Sequence, residues 1–119
     1  FLIHHKKSGL WLSPGGHIDK DESLLQTLNR EIHEELGIKN AAKEDTRPFH
    51  LSFVLISNPK QSCKEHLDVW FGFPTDGSDF SIDPKEFNET RWVTIDEARE
   101  LVIDTTNLDA FNKIEKLFN

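Results

Sequence analysis

Three glutamates near the end of one predicted helix are the residues of this sequence best suited to chemistry. Glu31, Glu34 and Glu35 stand at positions i, i+3 and i+4, so a helix would project their carboxylates as one cluster. Like charges at this spacing repel each other, and the carboxyl end of a helix disfavours anions further. Mg²⁺ and Mn²⁺ prefer oxygen ligands that converge in this way. The cluster alone leaves two interpretations open, a metal site or an acidic helix surface facing solvent.

The helix that would carry these glutamates is predicted over residues 22–36. Asp21 is the predicted N-cap, and Gly37 suits a left-handed residue that ends the helix. Glu35 falls near the edge of the apolar stripe, which predicts that its carboxylate is partly buried. The stripe consists of five residues, Leu24, Leu25, Leu28, Ile32 and Leu36.

The residues around the cluster follow a longer pattern. Gly16 is followed after five residues by Glu22, and seven residues later comes the run Arg30-Glu31-Ile32-His33-Glu34-Glu35-Leu36-Gly37-Ile38. This arrangement fills every position of the Nudix box, and the chain therefore resembles a Nudix hydrolase. The box covers 23 of the 119 residues, and the order of predicted elements on either side is also similar to the family fold.

The resemblance implies an α/β fold, a Nudix-like α/β/α sandwich with a mixed β-sheet, formed by one domain over residues 1–119. The apolar pattern predicts strands at residues 1–4, 10–12, 49–57, 66–73 and 90–93. The third of these is apolar at both sets of alternating positions, which predicts a central strand covered on both sides. Thr94 and Glu97 predict a capping box that opens a short helix, and a final helix is expected from Thr105 or Thr106. The chain opens within a strand and contains no methionine, so we expect an N-terminal strand of the family to be missing.

The resemblance also assigns roles to residues of the box. The implied metal ligands are the Gly15 carbonyl and the carboxylates of Glu31, Glu34 and Glu35. The residues implied to support the box are Gly16, Glu22, Arg30 and Gly37. Glu22 and Arg30 would form an ion pair, whereas the two glycines would permit a tight backbone at either end.

The residue that takes a proton from the attacking water is left open. Glu34 and Glu35 inside the box are candidates. Glu86 and Glu89, which precede the strand that bears Trp92, are candidates outside it.

Two residues outside the glutamate cluster are candidate substrate contacts. His17 directly follows the glycine loop, Ser13-Pro14-Gly15-Gly16, and could touch phosphate. Trp70 could stack on a nucleobase. Trp70 shares a predicted strand face with His66 and Asp68, and packing of Trp70 beneath a helix is an equally good alternative. Cys63 with His66 could in principle form a thiol nucleophile, but no third group orients the histidine.

The implied function is metal-dependent hydrolysis of the diphosphate linkage of a nucleoside diphosphate joined to another group. The expected cofactor is Mg²⁺ or Mn²⁺, and the expected substrate is a nucleoside triphosphate or a modified nucleotide. One alternative is a pyrophosphatase for ADP-ribose, nucleotide sugars or dinucleotides. An alternative of another class is a Nudix-fold binding or regulatory module without turnover.

Composition limits the expected partners. The net charge of −7 argues against a broad nucleic-acid surface, and no apolar run is long enough for a membrane span. Cys63 is the one cysteine, so no internal disulfide can form, which favours a reducing, cytoplasmic location. The expected partner is a small-molecule nucleotide, and a homodimer is one expected assembly because many family members are dimers.

Overall fold

A computed structural model describes residues 1–118, which contain five strands and three helices. In chain order these are β1 (Leu2–His5), β2 (Trp11–Leu12), α1 (Leu24–Leu36), β3 (His50–Leu55), β4 (Glu65–Trp70), β5 (Phe87–Arg91), α2 (Ile95–Leu101) and α3 (Thr105–Phe118). Within the described residues, no helix is long and apolar enough to cross a membrane.

The strands pair in two separate sheets. One has the order β2-β1-β5 and the other consists of β3 and β4, and every pairing is antiparallel. The predicted α/β class is confirmed, whereas the predicted single mixed sheet differs from the two antiparallel sheets found in residues 1–118. Two of the three pairings, β1 with β2 and β3 with β4, join consecutive strands through short connections, which only antiparallel neighbours allow.

The core lies beside the three-stranded sheet. Leu2 of β1 packs with Ala98, Val102 and Phe111, so α2 and α3 cover this sheet. Helix α3 contacts both α2 and β3. It therefore links the core to the second sheet, on which the other side of the candidate site is built.

Helix α1 begins two residues later than the sequence predicts. The N-cap is Ser23, whose hydroxyl accepts a hydrogen bond from the Gln26 amide, while the Gln26 side chain accepts one from the Ser23 amide. Asp21 instead takes a left-handed backbone with φ of 66°. The predicted N-cap was wrong because this reciprocal capping box satisfies two helix donors at once. Gly37 ends the helix as predicted, with φ of 75°.

The β3–β4 hairpin is open to solvent on one side. Leu51, Phe53 and Leu55 of β3 and Leu67 of β4 are 59–70% exposed. The prediction of a central strand covered on both sides was therefore wrong. In the described residues, β4 is the one strand that pairs with β3. The other face of β3, with His50, Ser52 and Val54, is half-buried.

Candidate metal-dependent active site

The glycine loop after β2 lies against the last turns of α1. The Gly15 amide donates a 2.9 Å hydrogen bond to Oε2 of Glu35. At Gly16, an added β-carbon would overlap the carboxylate of Glu31, which would have to move aside. The fold thus brings the loop and two of the box glutamates into direct contact.

Arg30 forms a two-pronged pair with Glu22. Its Nε donates to Oε2 of Glu22 at 2.8 Å, and its Nη2 donates to Oε1 at 2.9 Å. Thr27 adds a hydroxyl hydrogen bond to Glu22, and the His17 carbonyl accepts from Nη2 of Arg30 at 2.8 Å. The hydrogen bonds from Arg30 are the main reason why the pKa of Glu22 falls to about 2. This pair ties the loop before α1 to the middle of the helix.

The Arg30 guanidinium also forms ion pairs with two carboxylates of the glutamate cluster. Nη1 of Arg30 lies 2.6 Å from Oε1 of Glu31 and 3.3 Å from Oε2 of Glu34. Glu31 and Glu34 are held by Arg30, whereas Glu35 is held by Gly15. To reach one common ion, Glu34 would have to turn away from Arg30, and its side chain is 53% exposed and therefore free to do so.

Glu35 is the buried member of the cluster, with 7% of the residue exposed. Burial, and after it the charges of Glu31, Glu86 and Glu34, together raise the pKa of Glu35 to about 8, while the Gly15 hydrogen bond opposes this rise. A buried carboxylate among like charges is unfavourable unless a cation compensates it. Carboxylate and carbonyl oxygens are the donors that suit Mg²⁺ and Mn²⁺, so the residues present fit such an ion.

The two glutamates proposed outside the box have different surroundings. Glu86 lies in the turn before β5, and its charge contributes to the raised pKa of Glu35. Glu89, within β5, accepts a 2.6 Å hydrogen bond from Nε of Arg91, which lowers the pKa of Glu89. The charge of Glu86 therefore acts on the glutamate cluster, whereas Glu89 is paired with Arg91.

Trp70 lies on the inward face of the β3–β4 hairpin with His66 and Asp68, as the alternation of β4 indicates. Its indole Nε1 donates to the Ser52 hydroxyl at 2.9 Å. The half-buried ring is thus held by the neighbouring strand. Sequence reasoning missed Ser52, because an isolated serine in an alternating strand carries no distinguishing signal.

His17 makes a contact that no pattern in the sequence predicts. Its Nε2 lies 3.3 Å from Nε2 of His66, which is 49 residues away along the chain. Cys63 belongs to the same group, in which the candidate ligand atoms all lie within 4.8 Å of one another. Spacing along the chain could not reveal this group, because its members come from the glycine loop and from the β3–β4 hairpin.

Comparison with known proteins identifies the family. The model of the NUDIX domain matches residues 1–114 of this chain. The chain belongs to the Nudix family. The match covers the box, the strands on both sides of it and most of α3.

Known Nudix proteins resemble this chain along most of its length. It is 28% identical to an RNA pyrophosphohydrolase of Pelagibacter ubique, over 95% of this chain and 79% of that protein. It is 30% identical to an RNA pyrophosphohydrolase of Bartonella henselae, over 85% of this chain and 64% of that protein. The chain thus spans about two thirds to four fifths of the length of these two relatives.

Solved structures share the fold. The dihydroneopterin triphosphate pyrophosphohydrolase of E. coli superposes with a TM-score of 0.74 at 16% identity, covering 94% of this chain and 82% of that one. An Ap4A hydrolase of C. elegans superposes with a TM-score of 0.69 at 18% identity, covering 97% and 82%. The predicted family, fold class and reaction class, a hydrolase acting on phosphoanhydride bonds, are confirmed at this level.

Proposed function

We propose that this Nudix chain hydrolyses the diphosphate linkage of a nucleotide substrate in a reaction that depends on Mg²⁺ or Mn²⁺. One observation carries the proposal: the glycine loop is fastened to the glutamate cluster through Gly15 and Glu35. This contact supports a site in which the Gly15 carbonyl joins the carboxylates of Glu31, Glu34 and Glu35. Burial and the surrounding like charges raise the pKa of Glu35 to about 8, so a bound cation would favour its ionised form.

The proposed metal ligands are the Gly15 carbonyl and the carboxylates of Glu31, Glu34 and Glu35. A bound divalent ion would screen the charge of the diphosphate and lower the pKa of the attacking water. Water attacks one phosphorus, the bridging P–O bond breaks, and two phosphorylated products leave. Where the substrate is a triphosphate, the products can be a nucleotide and inorganic pyrophosphate.

Residues of the chain supply the remaining functions. Glu34, Glu35 and Glu86 are the proposed acceptors of the proton from water, and Glu89 is a weaker candidate because Arg91 engages it. We propose that Arg30 and Glu22 position the box and do not touch the reacting atoms. His17 and Trp70 are the proposed substrate contacts, through an imidazole beside the glycine loop and an indole held by Ser52.

The proposed substrates are nucleotides of two groups. The first group consists of nucleoside triphosphates and RNA with a 5′-terminal triphosphate. RNA is included because two similar proteins are RNA pyrophosphohydrolases. The net charge of −7 suits a substrate recognised at one end through metal ions better than one held along its length. Dinucleotides, ADP-ribose and nucleotide sugars form the second group of candidates. We also propose a cytoplasmic location, which the free Cys63 supports.

A substrate panel tests the proposed activity. The protein is incubated with Mg²⁺ or Mn²⁺ and each candidate class, and released phosphate is measured after treatment with pyrophosphatase or phosphatase. We expect turnover of at least one class and none in the presence of a chelator. A protein that binds nucleotide with millimolar metal and turns over none of the panel would support the non-catalytic module instead.

Matched variants test the residues. Glu34→Gln and Glu35→Gln should each lower turnover by orders of magnitude while the protein stays folded, because each removes a charged ligand and a candidate base. Glu100→Gln, at an exposed position of α2, is the matched control and should keep full activity. Mg²⁺ should raise the melting temperature of the wild type and the control more than that of the other two variants. Equal activity in all four proteins would refute the assignment.

A further inference from the structure

His17, Cys63 and His66 form a side-chain cluster. Cys63 and His66 have no role in the proposed hydrolysis, whereas His17 is also a proposed substrate contact. We propose that these three residues bind a transition-metal ion, Zn²⁺ in particular, at a second site separate from the carboxylates. The ion would join the glycine loop to the β3–β4 hairpin. The proposal does not depend on the proposed function, because it rests on the positions and chemistry of these three side chains.

The distances suit a tetrahedral ion. With Zn–N bonds of about 2.0–2.1 Å, two imidazole nitrogens of a tetrahedral site lie about 3.3 Å apart. The Nε2 atoms of His17 and His66 are 3.3 Å apart. The cysteine sulfur completes a group whose ligand atoms all lie within 4.8 Å of one another. Zn–S bonds of about 2.3 Å require sulfur about 3.5 Å from each nitrogen, and because the group spans no more than 4.8 Å, binding needs at most a small inward shift of Cys63.

The donor set distinguishes this site from the carboxylate cluster. One thiolate and two imidazoles favour Zn²⁺ and similar transition metals over Mg²⁺, which prefers oxygen. His17 and Cys63 are exposed and His66 is half-buried, so an ion can reach the cluster from solvent. Three protein ligands leave the fourth tetrahedral position for water.

The location of the cluster defines what the ion would do. The His17 carbonyl is held by Arg30, and the Gly15 amide is held by Glu35, so His17 extends from a loop that is fixed to α1. His66 belongs to β4, opposite Val54 of β3. A shared ion would therefore tether the hairpin that carries Trp70 to the loop that carries the proposed Gly15 ligand. Without an ion, the same contact is an imidazole–imidazole hydrogen bond.

Cobalt spectroscopy provides a specific test, because Cys63 is the single cysteine of the chain. Co²⁺ is added to the protein in the presence of excess Mg²⁺, and the thiolate-to-cobalt charge-transfer absorption is recorded. We expect one equivalent of Co²⁺ to produce this band and one equivalent of Zn²⁺ to remove it by displacement. Zn²⁺ should also raise the melting temperature.

Four variants determine which residues bind the ion. Cys63→Ser should abolish the band, and His17→Gln and His66→Gln should each weaken Co²⁺ binding at least tenfold, since losing even a supporting partner of a metal ligand costs about 10–100-fold. His33→Gln, at an exposed position of α1, is the matched histidine control and should behave as the wild type. Unchanged melting temperatures without metal would show that the variants are folded. A wild type without the band, or a band unaffected by His17→Gln and His66→Gln, would overturn the proposal.

Discussion

The main-chain amide of Gly15 donates a 2.9 Å hydrogen bond to the buried carboxylate of Glu35. This bond joins the glycine loop to the last turns of α1, and it is the principal polar contact that Glu35 makes. One neutral donor compensates only part of the cost of burying an anion among other anions. Glu35, a proposed metal ligand, is therefore a residue whose burial destabilises the metal-free fold.

This relationship predicts a trade-off between stability and activity at Glu35. Glu35→Gln should stabilise the metal-free protein at neutral to mildly alkaline pH while it lowers turnover by orders of magnitude. The amide oxygen can still accept the Gly15 hydrogen bond, and the buried charge is removed. The gain should exceed about 1 kcal/mol, since one unit of pKa shift corresponds to about 1.4 kcal/mol. Denaturant unfolding in the presence of a chelator measures it.

The control for this prediction is Glu100→Gln, which removes the same charge from an exposed position of α2. It should change the free energy of unfolding by less than about 0.5 kcal/mol. Saturating Mg²⁺ should reduce the advantage of Glu35→Gln, because the ion stabilises the wild type. A metal-free Glu35→Gln protein less stable than the wild type would contradict the charge-burial argument.

A side chain at Gly16 is predicted to displace the Glu31 carboxylate. In Gly16→Ala the new methyl group would overlap the Glu31 carboxylate, which must move and leave Arg30. We expect a loss of about 1–3 kcal/mol of stability from overpacking and weaker Mg²⁺ binding. Thermal melts with and without Mg²⁺ measure both effects. Gly72→Ala is the control, since its methyl group would meet atoms no nearer than 3.6 Å, and equal behaviour of the two variants would contradict the steric argument.

The ion pair of Glu22 with Arg30 predicts a specific acid sensitivity. Hydrogen bonds from Arg30 lower the pKa of Glu22 to about 2 from its ordinary value of 4.5. A carboxyl whose pKa is depressed by folding contributes stability that is fully present above its unfolded pKa and is lost as the pH falls towards its folded pKa. The wild type should therefore be more stable than Glu22→Gln near neutral pH. The difference should shrink below about pH 4.5 and vanish near pH 2.

Melting temperatures of both proteins across this pH range test the prediction. Arg30→Lys retains the positive charge but loses the two-pronged geometry, so its stability should depend less on pH in this window than that of the wild type. A difference between the wild type and Glu22→Gln that stays constant down to pH 2 would show that the pair does not act through the charge of Glu22.

Gly37 and Gly9 form a matched pair for testing the helix end. Both have a left-handed backbone, with φ of 75° and 68°, so alanine at either position costs about 1–2 kcal/mol. At Gly37 the new β-carbon would also lie 2.7 Å from Cβ of Ser81, whereas at Gly9 it would meet nothing within 4 Å. Gly37→Ala should therefore destabilise the protein more than Gly9→Ala. Equal losses on denaturant unfolding would mean that backbone strain alone matters at Gly37.

Local signals in the sequence were reliable where the energetics are local. The capping box of Thr94 with Glu97 and the helix end at Gly37 form as predicted, because each depends on residues within one turn. The start of α1 was misplaced because Asp21 and Ser23 are both good N-cap residues. Their ranking depends on the reciprocal bond between Ser23 and Gln26.

Strand partners were harder to foresee. The apolar residues on both faces of β3 suggested a central strand, yet Phe53 and Leu55 are exposed, at 59% and 70%. Composition reports which residues can be buried, but it does not report which neighbouring strands or helices are present to bury them. The assignment of strands to two antiparallel sheets likewise depended on contacts between distant segments.

The amino-acid order was sufficient to identify the family, the glutamate cluster and its helix, because the spacing of one turn places those carboxylates on one face. Three-dimensional packing was needed to bury Glu35 against Gly15 and to bring His17 within 3.3 Å of His66. These contacts join segments far apart in the chain. Their energies depend on desolvation and on charges from other elements, which no local pattern encodes.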